Sequence, residues 1–196
     1  MTRVYILTEL GEIIVEVFES QAPRTSSHFL KYVDEGYYNG ATFYRTVRSA
    51  DNQPQNKVKI DVIEGGYYNE YYDQALKVDM VEGKPYDESK GRLGPHPRIM
   101  LEPTSETGIK HLDGTVTLGR TTPEMVDDSL VICIGDQPEL DAGGRRHEDG
   151  LGFPAFGRVV EGMDLVRCIY GMNAEGQKLI PEVKIFSMVR EIEKIK

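Results

Sequence analysis

The chain of 196 residues contains no tryptophan and only two cysteines, Cys133 and Cys168. Because no Cys-x-x-Cys pair occurs, the sequence holds neither a zinc-ribbon motif nor a dithiol redox motif. A single disulfide and two reduced, buried thiols are both compatible with this count, and we expect the reduced thiols. The four histidines are scattered without metal-ligand spacing. We therefore expect no metal site.

Long apolar runs are also missing, and the charge balance is acidic. No segment approaches the ~18 consecutive apolar residues that a membrane-spanning helix needs, and the first residues do not resemble a signal peptide. The net charge of −9 disfavours a nucleic-acid partner, because phosphate binding requires a basic face. We therefore expect a cytoplasmic protein with no nucleic-acid partner and no membrane partner.

The overall composition is that of a folded chain. Hydrophobic residues make up 39% and charged residues 28%, which excludes a disordered protein. The length predicts a single domain over residues 1–196. Residues 67–98 are rich in tyrosine, glycine and proline and lack a regular pattern, so we predict a long loop insertion there. Such loops are often functional, and the alternative is a surface insertion without a role.

Alternation of apolar and polar residues predicts most of the secondary structure. The expected strands cover residues 4–8, 12–18, 41–47, 57–63, 114–118, 129–134, 153–160 and 183–192. The expected helices run from Pro23 to Gly36 and from Met163 to Tyr170. Because helices do not alternate with strands, an antiparallel sheet closed on itself is favoured over a parallel α/β fold. The residues expected to share one core are Ile13, Val15, Val17, Phe29, Val33, Phe156 and Val159.

Two adjacent carboxylates, Asp127 and Asp128, raise the hypothesis of a hydrolase that uses acid–base catalysis. Neighbouring residues of an extended segment point in opposite directions, so the two groups do not converge on one substrate. We interpret the pair as a solvated turn and keep hydrolysis as a minor alternative.

Seven short segments follow one another in a characteristic order. They are GEIIVEVF (11–18), APRT (22–25), NGATFYR (39–45), VIEGG (62–66), DGTV (113–116), LD (140–141) and FGRVVEGM (156–163). In this order the chain resembles the cyclophilin-type peptidyl-prolyl cis-trans isomerases, and most of all the compact bacterial members. The resemblance implies a mainly β fold, a closed antiparallel β-barrel of about eight strands with two capping helices.

The resemblance also implies rotamase activity on X–Pro bonds during protein folding, without metal or cofactor. The implied partners are proline-containing peptides and unfolded or client proteins. Arg45 stands at the position of the family's catalytic arginine, and Glu64 replaces the glutamine that orients it. A guanidinium is always charged and offers several hydrogen-bond donors. We therefore predict that Arg45 is catalytic and that Glu64 lies within hydrogen-bond reach of it.

The same register implies the substrate-binding residues, and several of them depart from the family pattern. The residues expected to bind substrate are Phe43, Val62, Ser129, Val131, Leu140 and Phe153. Asp61 replaces a phenylalanine, Val62 a methionine, Val131 a phenylalanine and Glu139 a tryptophan. Each lost large side chain removes on the order of 1–3 kcal/mol of buried contact. We expect an isomerase with reduced turnover, and the alternative is a cyclophilin-scaffold module that binds peptides or proteins with little or no turnover.

Overall fold

The computed structural model describes residues 1–67, 96–124 and 126–191. The strands are β1 (Thr2–Thr8), β2 (Gly11–Val17), β3 (Thr42–Val47), β4 (Val62–Gly66), β5 (Thr115–Arg120), β6 (Val126–Cys133), β7 (Ala155–Glu161), β8 (Ala174–Glu175) and β9 (Lys178–Arg190). The helices are α1 (Pro23–Asp34), α2 (Thr104–Thr107) and α3 (Met163–Tyr170), with a 3₁₀ turn at Pro138–Leu140. The insertion predicted at 67–98 lies mostly outside the described residues, so that prediction and the single-domain prediction stay predictions.

Eight of these strands close into an antiparallel barrel. The neighbour order is β1-β2-β7-β5-β6-β4-β3-β9, and β9 pairs back onto β1. The predicted hairpin of β1 and β2 is present, with Val4 opposite Val15. The short strand β8, which the sequence pattern did not predict, pairs only with β9 among the described residues. The barrel confirms the predicted fold class.

Both predicted helices are present, and the one-turn helix α2 is additional. Helix α1 begins at Pro23, whose fixed φ suits a first helical turn. It packs on β7 and β9, where the rings of Phe29 and Phe156 lie 4.9 Å apart. Helix α3 packs on β2, β3 and β4. Of the seven predicted core residues, six are buried and Val159 is partly buried against the same core.

The strand predicted over 57–63 is wrong in its bounds, because β4 starts only at Val62. The Gln53 side chain bonds both backbone groups of Ile60, at 2.6 and 3.2 Å, and these bonds hold the segment before β4 in a loop. The strand then continues through Gly65, where a Cβ atom would come within 2.7 Å of the Phe43 ring. Glycine at this position therefore lets the Phe43 ring pack directly on the backbone of β4.

Two further predictions need correction. Asp127 and Asp128 belong to β6 and are buried, so they do not form a solvated turn. The strand runs from Val126 to Cys133 and so includes both carboxylates. Both cysteines are free thiols as expected, but only Cys133 is buried and Cys168 is exposed on α3. Within the part of the chain that the structure describes, no helix is long and apolar enough to cross a membrane.

Candidate active site

A cavity of about 630 Å³ opens on the face of the sheet that points away from the barrel core. Successive side chains of a strand point to opposite faces of the sheet. In β4 the side chain of Ile63 therefore enters the core, while those of Val62 and Glu64 face the cavity. Seven of the eight predicted site residues line it, namely Arg45, Val62, Glu64, Ser129, Val131, Leu140 and Phe153.

Phe43 is the exception, and its prediction as a substrate-binding residue is corrected. Its side chain is fully buried in the barrel core, on the opposite face of β3. The register of β3 against β4 explains why Tyr44 and Arg45 face the cavity although Phe43 faces the core. Phe43 pairs with Gly65 and Arg45 pairs with Glu64, so Tyr44 is the extra residue of a bulge. The bulge turns both Tyr44 and Arg45 toward the cavity.

Glu64 links these two side chains. Its Oε2 accepts a hydrogen bond from Arg45 Nη1 at 2.8 Å, and its Oε1 accepts one from the Tyr44 hydroxyl at 2.7 Å. The predicted contact between Glu64 and Arg45 is therefore present. Burial and the nearby Glu64 raise the pKa of Tyr44 well above its ordinary value. The hydroxyl therefore stays protonated and donates a hydrogen bond to the Glu64 carboxylate.

Gln177 holds the guanidinium from a second side. Its Oε1 accepts hydrogen bonds from Arg45 Nε at 3.0 Å and from Nη2 at 2.5 Å. The turn between β8 and β9 brings Gln177 to this place from 132 residues away in the chain. Sequence reasoning missed Gln177 because nothing local marks it. It also gave no role to Tyr44, although its position beside Arg45 was a usable signal.

Four of the residues expected to bind substrate, Val62, Val131, Leu140 and Phe153, would form a slot for the proline ring, and they belong to an apolar cluster separate from the barrel core. The cluster consists of Val47, Ile60, Val62, Val131, Cys133 and Leu140, with Phe153 packed against it. The guanidinium of Arg120 lies 5.3 Å from the centre of the Phe153 ring. Arg120 is in turn fixed by two hydrogen bonds to the Asp149 carboxylate, at 2.7 and 2.8 Å. Phe153 therefore packs against a guanidinium that is itself fixed by an ion pair.

The far side of the cavity carries Ser129 and a buried acid. Ser129 Oγ lies 3.4 Å from the Tyr44 hydroxyl, and the Ser129 backbone N–H donates to Asp127 Oδ1 at 2.9 Å. Burial first, and then the neighbouring Asp128 carboxylate, raise the pKa of Asp127 to about 7. Asp127 lines the cavity, whereas the Asp128 side chain bonds Tyr37 on the other face of β6. The two carboxylates do not converge, which leaves the hydrolase hypothesis without a site.

Comparison with known proteins decides the family. The family model described as cyclophilin-type peptidyl-prolyl cis-trans isomerase matches residues 3–190. The chain belongs to this family. Peptidyl-prolyl cis-trans isomerase cyp18 of Streptomyces antibioticus is 26% identical over 196 residues, which is 100% of this chain and 99% of the relative.

A further relative agrees with this assignment, and a solved structure agrees in fold. Peptidyl-prolyl cis-trans isomerase B of Escherichia coli is 25% identical and covers 84% of this chain and 82% of its own length. A crystal structure of a cyclophilin-type isomerase from Cryptosporidium parvum, obtained in the presence of the dipeptide Ala-Pro, superimposes with a TM-score of 0.68. Its sequence identity is 18%, and the match covers 97% of this chain and 99% of that one.

Asp61 and Glu139, two of the three positions where the family resemblance implies a lost aromatic side chain, make their contacts outside the cavity lining. The carboxylate of Asp61 accepts hydrogen bonds from the Ser49 backbone N–H at 2.7 Å and from the Tyr170 hydroxyl at 2.6 Å, away from the cavity. Glu139 pairs with the exposed Arg145 at 2.6 Å. Neither residue lines the cavity, whereas Val62, Val131, Leu140 and Phe153 do.

Proposed function

We propose that this cyclophilin isomerises X–Pro peptide bonds with Arg45 as its electrostatic catalyst. The proline ring would occupy the slot formed by Val62, Val131, Leu140 and Phe153. One observation carries the proposal: a guanidinium, fixed from two sides, lies on the same cavity wall as an apolar slot. Family membership alone would not assign these roles, because the slot residues differ from the family pattern.

The physical task is to stabilise a twisted amide. The barrier to rotation is roughly 18–20 kcal/mol, because the planar C–N bond has partial double-bond character. In the twisted state the prolyl nitrogen regains its lone pair and becomes a better hydrogen-bond acceptor. A donor that is already oriented stabilises that state without reorganising during the reaction. An acceleration of a million-fold needs about 8 kcal/mol of such differential stabilisation.

Two features of the site lower the expected turnover. Three of the guanidinium N–H groups of Arg45 are engaged by Glu64 and Gln177. The Glu64 carboxylate also neutralises part of the positive potential that the prolyl nitrogen would experience. We therefore propose a working isomerase that turns over more slowly than one with a neutral partner at this position.

A second candidate function is peptide binding with little turnover, on clients that present exposed prolines. The observation that favours it is the same neutralised guanidinium beside an intact apolar slot. In that case the protein would retain the cavity and lose the differential stabilisation. We propose proline-containing segments of unfolded proteins as the substrates in the first case and as the ligands in the second.

Exchange NMR on proline tetrapeptides separates the two functions. Cross-peaks between cis and trans signals measure the isomerisation rate, and chemical-shift titration of the same samples measures affinity. Uncatalysed exchange takes tens to hundreds of seconds, so catalysis at low protein concentration is easily seen. An isomerase raises the exchange rate in proportion to protein. A binding module shifts the peptide signals to saturation without accelerating exchange. The absence of both effects would refute the proposal.

A further inference from the structure

Arg146 places a half-buried guanidinium on the wall of the same cavity. It belongs to the segment between Leu140 and Phe153, two residues of the proline slot. Its Nη1 donates to the Gln53 Oε1 at 3.1 Å and to the Val58 backbone carbonyl at 2.6 Å. These two bonds anchor one edge of the guanidinium beside the slot.

Among the described residues, Arg146 has no carboxylate partner, unlike the other cations that line this cavity. Arg45, Arg120 and Lys178 each lie within 3.9 Å of a carboxylate oxygen. Across the described ranges, no carboxylate lies within ion-pair distance of Arg146. Burial of the Arg146 guanidinium, together with the positive charge of Arg45, lowers the pKa of Arg146. A partly buried charge without a partner is unfavourable, and an anion in the cavity would relieve that cost.

We propose that Arg146 is a specificity-determining residue that binds a carboxylate on, or directly next to, the substrate proline. This inference rests on the proposed function, because it concerns the peptide that occupies the same slot. The carboxylate can come from an acidic side chain beside the proline or from a chain terminus at the proline. Both sources match the planar fork of a guanidinium, which binds carboxylates with two parallel hydrogen bonds.

A singly charged group fits this cavity better than a doubly charged one. Glu64 and Glu182 line the same cavity and would repel an added negative charge, as would Asp127 once it has lost its proton. The net charge of the whole chain, −9, also opposes the approach of anions from a distance. The attraction is therefore local to Arg146, and the repulsion energy of a dianion from these carboxylates would be about twice that of a monoanion.

Binding of matched peptides to matched variants tests the inference. Peptide pairs carry Glu or Gln before the proline, Glu or Gln after it, or a terminal proline with a free or amidated carboxyl group. Arg146→Gln removes the charge, and Arg145→Gln removes the same charge from the adjacent residue, which is exposed and paired with Glu139. Arg146→Lys keeps the positive charge but removes the planar guanidinium that can bind a carboxylate with two parallel hydrogen bonds. Thermal melts show whether each variant is folded.

The wild-type protein should bind the carboxylate member of at least one pair roughly three- to tenfold more tightly than its neutral counterpart. Arg146→Gln should abolish this preference, Arg146→Lys should retain part of it, and Arg145→Gln should leave it unchanged. About 1 M salt should weaken the preference, since the Debye length falls to ~3 Å.

Three results would overturn the inference: equal binding of all pairs, a preference that survives Arg146→Gln, or equal losses in Arg146→Gln and Arg145→Gln. If neutral peptides are bound and isomerised without any acid preference, only the inference fails. If no prolyl peptide is bound or isomerised, the proposed function fails as well.

Discussion

Glu64 and Arg45 occupy directly paired positions of β4 and β3, and the carboxylate accepts a hydrogen bond from the guanidinium at 2.8 Å. The acid therefore orients the proposed catalyst and partly neutralises it at the same time. Gln177 orients the same guanidinium independently through two further hydrogen bonds. Positioning of Arg45 thus does not depend on Glu64 alone, whereas Glu64 supplies the carboxylate that pairs with Arg45 among the described residues.

Replacing Glu64 by glutamine should accelerate turnover by roughly two- to fivefold. The neutral amide keeps the shape and the contact with Arg45, and Gln177 keeps the guanidinium oriented, so the main change is the recovered positive potential. The variant should remain within about 1 kcal/mol of the wild-type free energy of unfolding, because a partly exposed pair contributes little to stability. Exchange NMR measures the rate, and a slower variant would show that orientation by Glu64 dominates.

Replacing Gln177 by alanine should lower turnover about three- to tenfold and leave peptide affinity within about twofold. The side chain acts by holding Arg45, so its loss should also change the NMR signal of the Arg45 Nε–H group, which donates to Gln177. Glu175→Ala, at an exposed position of the adjacent strand β8, serves as the control. An unaltered Arg45 signal together with unaltered turnover would refute a positioning role.

Replacing Phe153 by alanine should weaken the binding of prolyl peptides by about tenfold, because the slot loses its aromatic wall. Turnover at saturating peptide should change less than affinity, since in the proposed binding mode Phe153 would contact the proline ring and not the rotating bond. Phe186→Ala removes an equal ring from an exposed position of β9 and should leave affinity unchanged. If the two variants bind alike, the proline slot lies elsewhere.

Asp127 should make the protein less stable as the pH rises from about 4 to about 7. Burial raises its pKa from 3.8 to about 7, so in this window the native state holds a proton that the unfolded chain has released. The free energy of unfolding therefore falls with rising pH, by about 4 kcal/mol at most. Asp127→Asn should remove this dependence, and the exposed Asp164→Asn on α3 should not.

His28 contributes an opposite slope that must be separated from that of Asp127. Burial lowers the pKa of His28 from 6.5 to about 4, so here the unfolded chain binds the extra proton and stability rises with pH across that range. Urea unfolding at several pH values, compared between the wild type and Asp127→Asn, isolates the aspartate by difference. Parallel curves for the two proteins would contradict the assignment.

The barrel was predictable because its signals are local and repeated. Alternation in segments such as 12–18 fixes which side chains enter the core, and the short glycine connection before it fixes the β1–β2 hairpin. The bounds of β4 were not predictable, because Lys57 to Asp61 alternate like a strand. Side-chain bonds from Gln53 keep this segment out of the sheet, and no local pattern reveals them.

The candidate site was predictable where it depends on strand register and unpredictable where it depends on distant turns. Glu64 faces Arg45 because both occupy paired strand positions. Phe43 was misplaced because the bulge at Tyr44 shifts the alternation by one residue, which sequence alone does not show. Gln177 lies in the turn between β8 and β9, far from Arg45 in the chain, and no sequence pattern around Gln177 indicates its contact with Arg45.

Arg45→Ala tests the central claim most directly, since it separates stabilisation of the twisted amide from simple binding. Peptide affinity and the rate of cis–trans exchange are measured on the same samples, with Arg158→Gln as a control at an exposed arginine outside the cavity. The account predicts that Arg45→Ala lowers turnover by about 100-fold or more, while affinity changes by no more than about threefold. Equal losses of rate and affinity, or no loss of rate, would contradict it.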